Sequence, residues 1–123
     1  MNDKELLQTA IAAAISGSAQ ILDIYRQDFE VEFKEDKSPL TLADRNAHDA
    51  ICKALKVTGL PVLSEEGKNI PYEVRKEWDR FWMVDPLDGT KEFIKRNDEF
   101  TVNIALIHSQ QAVMGVILVP VSG

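Results

Sequence analysis

Two aspartates, Asp85 and Asp88, bracket a proline and a leucine and are followed at once by Gly89 and Thr90. Carboxylates at this spacing on a turn can be aimed at one point. Pro86 fixes its own φ and offers no donor, and Gly89 permits a backbone conformation closed to most residues. The preceding run, Phe81-Trp82-Met83-Val84, has the composition of a strand that stops at Asp85. A short helix starting near Gly89 or Thr90 would turn its free N–H groups toward the same point. Carboxylate oxygens beside such amides suit a divalent cation bound together with a phosphate. Asp-Pro and Asp-Gly are also ordinary turn chemistry, so the decision rests on the rest of the chain.

Further carboxylates repeat the pattern. Glu65 and Glu66 follow another short apolar run, Val62-Leu63, through Ser64. If the two strands are neighbours running the same way, all these carboxylates gather at one end of a sheet. Asp44, behind Thr41 near the start of a helix, can join them. In a low dielectric their repulsion would amount to several kcal/mol unless a cation neutralised it. Oxygen donors with no paired His or Cys select Mg²⁺ or Mn²⁺ over zinc. Mg²⁺ beside a phosphate pocket points to phosphate-ester hydrolysis, in which two metals about 3.5–4 Å apart can activate the water and stabilise the leaving oxygen. Asp44 and Thr90 are then the groups to orient the attacking water, and the Gly89 and Thr90 amides those to hold the phosphate.

Several elements must position these groups. Asp3 to about Tyr25 reads as a helix, with Leu7, Ile11, Ala14, Ser18, Ile21 or Leu22, and Tyr25 at spacings of three and four. Asn2 or Asp3 caps it. Ser16-Gly17-Ser18 is poor helix material, and small residues there let another backbone pack closely. Residues 28–34 alternate Phe29, Val31 and Phe33 with charged residues, as a half-buried strand or hairpin arm does. Leu42 to Val57 reads as a second helix with Leu42, Ala47, Ala50-Ile51 and Ala54-Leu55 on one face, ended by Gly59-Leu60-Pro61. Pro71 to Lys76 suits a helical turn. Residues 100–108 and 112–119 are apolar runs joined by Ser109-Gln110-Gln111, an antiparallel hairpin. The fold class expected is an α/β sandwich, the two long helices together on one face of a mainly antiparallel sheet with strands near 29–34, 62–64, 81–85, 100–108 and 112–119.

Composition sets the outer limits. The chain has 123 residues, 45% hydrophobic and 28% charged, as befits one globular domain over residues 1–123. A net charge of −6 argues against binding a nucleic-acid polymer. One cysteine, Cys52, allows no internal disulfide, so a reducing, cytoplasmic location is the expectation. The charged N-terminus is not a signal peptide, and no apolar run approaches the length of a transmembrane segment.

Leu63-Ser64-Glu65-Glu66, Asp85-Pro86-Leu87-Asp88-Gly89-Thr90-Lys91-Glu92-Phe93 and Ser38-Pro39-Leu40-Thr41-Leu42-Ala43-Asp44 resemble the signatures of the inositol monophosphatase superfamily, a group of lithium-sensitive, Mg²⁺-dependent phosphatases. The continuation from Phe93 to Asn97 and from Glu99 to Ile107 resembles the branch of bacterial 3′(2′),5′-bisphosphate nucleotidases of the CysQ type. These convert adenosine 3′,5′-bisphosphate, a by-product of sulfate assimilation, to AMP and phosphate. The resemblance covers essentially the whole chain, with the motifs in order. It implies that Glu65, Asp85 and the Leu87 carbonyl bind a first Mg²⁺ ion. Asp85 would bridge to a second ion also held by Asp88, with two or three ions in an intact enzyme. It further implies that Asp44 and Thr90 polarise the water, that Gly89 and Thr90 cradle the phosphate, and that Lys34 reaches the substrate from a loop covering the site.

Members of the superfamily are about twice this length and carry a Trp-Asp-x-Ala-Ala-Gly segment in their second half, whereas Trp78-Asp79 here is followed by Arg80-Phe81-Trp82. The chain therefore reads as an N-terminal half, expected to self-associate and to be essentially inactive by itself. Peripheral attachment to the inner membrane is implied by the resemblance alone. An inositol monophosphatase or sugar bisphosphatase is the alternative within the enzymes, and a non-catalytic metal-binding fragment the alternative outside them. His48 and His108 lack ligand spacing and read as surface or core histidines, Cys52 as a small buried residue, and Trp78 and Trp82 as packing groups. Lys91, Lys95 and Arg96 follow the phosphate loop and are either solvated or in contact with a substrate phosphate.

Overall fold

The computed structural model describes residues 1–26, 39–64 and 71–122. The strand expected near 29–34, together with Lys34, Glu65 and Glu66, lies outside the described residues.

Helix α1 spans Asp3–Tyr25. A capping box opens it: the Asn2 side chain accepts from the Glu5 amide at 2.8 Å, and the Glu5 carboxylate accepts from the Asn2 N–H at 3.1 Å. Its buried face is Leu6, Ala10, Ala13, Ala14, Gly17, Ser18, Ile21, Ile24 and Tyr25. That corrects the expected stripe, since Leu7 and Ile11 are 38% and 42% exposed. Large apolar side chains surround much of this helix, and what selects the inner face is smallness. Alanines and Gly17 let α2 (Pro39–Leu55) approach closely. A Cβ built on Gly17 would lie 2.7 Å from Ile51 Cδ1 and 2.8 Å from Ile51 Cγ1.

Helix α2 starts at Pro39, three residues before the expected Leu42, because proline is well suited to a first helical position where no N–H is needed. Thr41 and Asp44 thus sit within the helix. Ala43, Ala47, Ile51 and Leu55 form its buried face, whereas Leu42 is exposed. A 3₁₀ turn over Lys56–Thr58 and Gly59, at φ 70°, close it.

Among the described residues four strands form a sheet in the order β1-β2-β3-β4: β1 (Val62–Ser64), β2 (Arg80–Asp88), β3 (Thr101–His108) and β4 (Gln111–Leu118). Strand β1 runs parallel to β2, and the other two pairings are antiparallel. The short exposed helix α3 (Tyr72–Arg75) lies between β1 and β2 in sequence, and α4 (Thr90–Lys95) between β2 and β3. The β3–β4 turn is the pair Ser109-Gln110, both at positive φ (51° and 67°), which matches the twist of a hairpin. One sheet face, with Trp82, Val84, Val102, Ile104 and Leu106, is buried beneath α1 and α2. Trp82 Nε1 also donates to Thr58 Oγ1 at 3.1 Å, tying β2 to the end of α2. No described element covers the opposite face, and Ile117 on it is 75% exposed.

Gly17→Val is expected to lower the unfolding free energy of the full-length protein by about 1–3 kcal/mol, the usual cost of overpacking a closely fitted contact. Urea denaturation measures it, and an unchanged midpoint would show that Ile51 has room to move.

Candidate functional site

Strand geometry alone would separate Asp85 from Asp88. Side chains alternate across a sheet, so two residues three apart face opposite ways. The expected end of the strand at Asp85 is also corrected: β2 continues to Asp88. Both facts are resolved by a bulge. Asp85 pairs with Asn103 and Asp88 with Thr101, so three steps on β2 match two on β3. The extra residue brings Asp88 to the face that Asp85 occupies. Pro86 is tolerated within the irregularity because a bulge relieves it of a ladder N–H. Pro86 and Leu87 turn inward and are buried, Asp85 is half-buried and Asp88 exposed. Asn103 Nδ2 donates to Asp88 Oδ2 at 3.1 Å, which fixes that carboxylate while leaving it further acceptor capacity.

Immediately after the bulge, Gly89 adopts φ 92° and ψ 53° and precedes α4. A Cβ here would approach Phe100 Cα to 3.2 Å, so both backbone and space call for glycine. The Gly89 carbonyl accepts from Phe93 N–H at 3.0 Å, closing the first turn. Thr90 begins that turn and is exposed, while Phe93 is buried. Phe93, Phe100 and Tyr25 form an aromatic cluster with ring centroids 4.7–5.4 Å apart. Arg96, at φ 56°, ends the helix, and its guanidinium lies 5.7 Å from the Tyr25 ring centroid. The Tyr25 hydroxyl donates to Asp98 Oδ1 at 2.6 Å and accepts from the Asp98 N–H at 3.2 Å. The last turn of α1 thereby holds the segment that follows the expected phosphate loop. Lys91 and Lys95 are exposed.

Parallel pairing places Ser64, the last residue of β1, beside Val84, one residue before Asp85. Glu65 follows Ser64 directly in the chain. Ser64, Asp85, Asp88, Thr101 and Asn103 line one concavity of about 860 Å³ on the open sheet face. Asp44 is half-buried on α2, which packs against β2 and also meets α4. The structure thus brings Asp85 and Asp88 together beside the Gly89-Thr90 turn. Among the described residues no group of three or more His, Cys, Asp or Glu is arranged to hold a metal. The two aspartates and any backbone carbonyl are hard oxygen donors, a set that fits Mg²⁺ or Mn²⁺ rather than zinc.

Two participants escaped the sequence. Asn103 looked like one more residue of an apolar strand, and only the register shows that it faces Asp88. His48, set aside for want of ligand spacing, has its Nδ1 2.9 Å from Ser64 Oγ. Its one available signal was its place one helical turn beyond Asp44. Cys52, a further turn on, is half-buried, and its sulfur lies 3.6 Å from His48 Nε2. Burial, and then the charge of Asp49, push its thiol above the ordinary value.

The inositol monophosphatase family model matches residues 2–123. The 3′(2′),5′-bisphosphate nucleotidase CysQ of Salmonella typhimurium is 47% identical over 120 residues, covering 94% of this chain and 48% of that protein. The crystal structure of CysQ from Bacteroides thetaiotaomicron, described as a bacterial member of the inositol monophosphatase family, matches with a TM-score of 0.87 at 57% identity. That match covers 93% of this chain and 42% of the other. An inositol monophosphatase from Zymomonas mobilis matches with a TM-score of 0.80 at 28% identity, over 99% of this chain and 46% of its own. The chain spans about half the length of the curated relatives it matches.

Burial first, and then the hydrogen bond to Asp98, raise the Tyr25 phenol above its ordinary value of 10.0. The folded state therefore holds this proton more tightly than the unfolded chain. The stabilisation is complete below pH about 10 and is lost as pH rises through the folded value. The unfolding free energy is expected to fall more steeply between about pH 9 and 11 in the parent protein than in Tyr25→Phe. Urea denaturation across that range checks it, and parallel slopes would refute the assignment.

Proposed function

The chain belongs to the inositol monophosphatase family, and on that basis we propose that it forms the cation- and phosphate-binding part of a Mg²⁺-dependent phosphomonoesterase. The substrate we assign is adenosine 3′,5′-bisphosphate, cleaved at its 3′-phosphate to AMP and inorganic phosphate. The observation that carries the chemistry is the β2 bulge, which places Asp85 and Asp88 on one face directly before the Gly89-Thr90 turn. The choice of a nucleotide is supported by relatives. Identity is 57% to a CysQ structure and 28% to an inositol monophosphatase structure.

Asp85, Asp88, the Leu87 carbonyl and Glu65 would hold the cation. Bound Mg²⁺ would supply Lewis-acid polarisation of the phosphate and a more acidic water. The remaining work falls to the chain itself. The Thr90 hydroxyl would orient the attacking water, and the Asp44 carboxylate would accept its proton. The Gly89 and Thr90 amides, at the start of a helix where N–H groups lack intrahelical partners, bind phosphate oxygens. Lys34 adds a positive charge for the substrate phosphate. None of these groups sees beyond the scissile phosphate, so the nucleoside must be recognised elsewhere in the full-length protein.

No helix among the described residues is long and apolar enough to cross a membrane. We place the protein in the cytoplasm, where the free Cys52 is at home. We also propose self-association of the 123-residue chain alone through its open sheet face, on which Met83 and Ile117 are exposed.

Phosphate release by the full-length protein, measured with adenosine 3′,5′-bisphosphate, inositol 1-phosphate and a sugar bisphosphate, tests the substrate. Preference for the inositol ester would overturn the nucleotide assignment. Asp85→Asn is expected to be the most damaging substitution, abolishing turnover and weakening Mg²⁺ binding together. Thr90→Ala should bind the cation almost normally yet turn over about 10²–10⁴ times more slowly, the range for a lost proton-transfer contact. Full turnover in Thr90→Ala would remove that residue from the mechanism.

A further inference from the structure

We infer that His48 is a positioning residue. It fixes Ser64 on the wall of the Asp85–Asp88 concavity and so sets how strongly that concavity holds its divalent cation. The inference rests on the proposal that these aspartates form a cation site.

Strand β1 is only three residues long, and among the described residues it pairs with β2 alone. A strand this short has few ladder hydrogen bonds, so the sheet determines its last residue weakly. That last residue, Ser64, lines the same concavity as Asp85 and Asp88 and hands the chain to Glu65. Helix α2 supplies it with an anchor from outside the sheet. His48 Nδ1 and Ser64 Oγ are joined by a 2.9 Å hydrogen bond.

The imidazole is itself held. Cys52 Sγ lies 3.6 Å from Nε2 and 3.8 Å from Nδ1. Being nearly equidistant from both nitrogens, the sulfur acts as a packing contact rather than a directed acceptor. The raised thiol pKa keeps that contact uncharged at neutral pH. His48 is therefore fixed between Cys52 on its own helix and Ser64 on the strand. The same helix carries Asp44 one turn earlier, so α2 presents a water-orienting carboxylate and a strand anchor in consecutive turns. An ordinary buried histidine would need only a satisfied ring. This one reaches the single residue connecting β1 to the acidic segment.

Groups that orient a metal site from behind typically change affinity by about 10–100-fold when removed. The test uses the full-length protein and reads Mn²⁺ binding by calorimetry without substrate, alongside Mg²⁺-saturated turnover and the thermal midpoint. His48→Ala is expected to weaken Mn²⁺ binding about 10–100-fold, with turnover at saturating Mg²⁺ within about threefold of the parent. Ser64→Ala should reproduce that loss, and the double variant should be no worse than either single one. His48→Asn, which keeps a polar atom near the Nδ1 position, should restore most of the affinity. Unchanged Mn²⁺ affinity in His48→Ala, or additive losses in the double variant, would overturn the inference. If His48→Ala does not fold, Ser64→Ala alone decides: weakened binding supports the anchor and unchanged binding removes it. A parent protein that binds Mn²⁺ but releases no phosphate refutes the proposed activity and leaves this test intact. A parent protein that binds no Mn²⁺ overturns both.

Discussion

A β-strand repeats every two residues, and the two aspartates that share a face, Asp85 and Asp88, are three apart. The bulge in β2 reconciles these periods with one extra residue, and much of the molecule can be understood as what keeps that bulge in place. On its far side β3 supplies an unbroken register from Asn103 to His108 against β2, so the irregularity is confined to the last residues of the strand. Buried Trp82 and Val84 anchor the preceding residues to the helices. Pro86 and Leu87 turn into the protein where the strand departs from regular pairing. The carboxylates come together because the surrounding apolar packing leaves the backbone no other course.

The helices act on the same region from behind. Gly17 permits α1 and α2 to lie close together, which brings both over one sheet face. From that position α1 delivers Tyr25 to Asp98, beyond α4, and α2 delivers His48 to Ser64 at the end of β1. A hydrogen bond to a charged partner is worth about 1.5–3 kcal/mol when shielded. The Tyr25–Asp98 contact is only partly buried and sits at the low end of that range, yet it acts on residues with few other constraints. Arg96 and Asp98 both hold positive φ, a conformation that non-glycine residues keep only when their surroundings impose it.

The sequence was most informative where one local rule decided the outcome. The bounds of α1, the helix after Gly89 and the hairpin closed near Ser109 all follow from caps, glycine and periodicity. It was less informative where two rules competed. In α1 the large residues Leu7 and Ile11 suggested an inner face, but close helix packing selected Ala10, Ala13, Ala14 and Gly17 instead. At Asp85 a proline suggested the end of a strand, but pairing with β3 carried β2 on to Asp88. The partners of the site, Asn103 and His48, depend on register and on helix placement. No short window of sequence contains either.

These origins explain how the proposed cation site, built from like charges, can form without a cation. Asp85 and Asp88 repel one another, so their mutual energy cannot be what assembles them. Their positions come from a bulge and a glycine at positive φ, features of neutral backbone that do not respond to charge. Among the described residues the Asn103 amide is a direct partner of Asp88, and it donates without neutralising. An arginine there would relieve the repulsion and compete with the cation for the same oxygens. An amide orients the carboxylate and leaves its charge for the proposed cation.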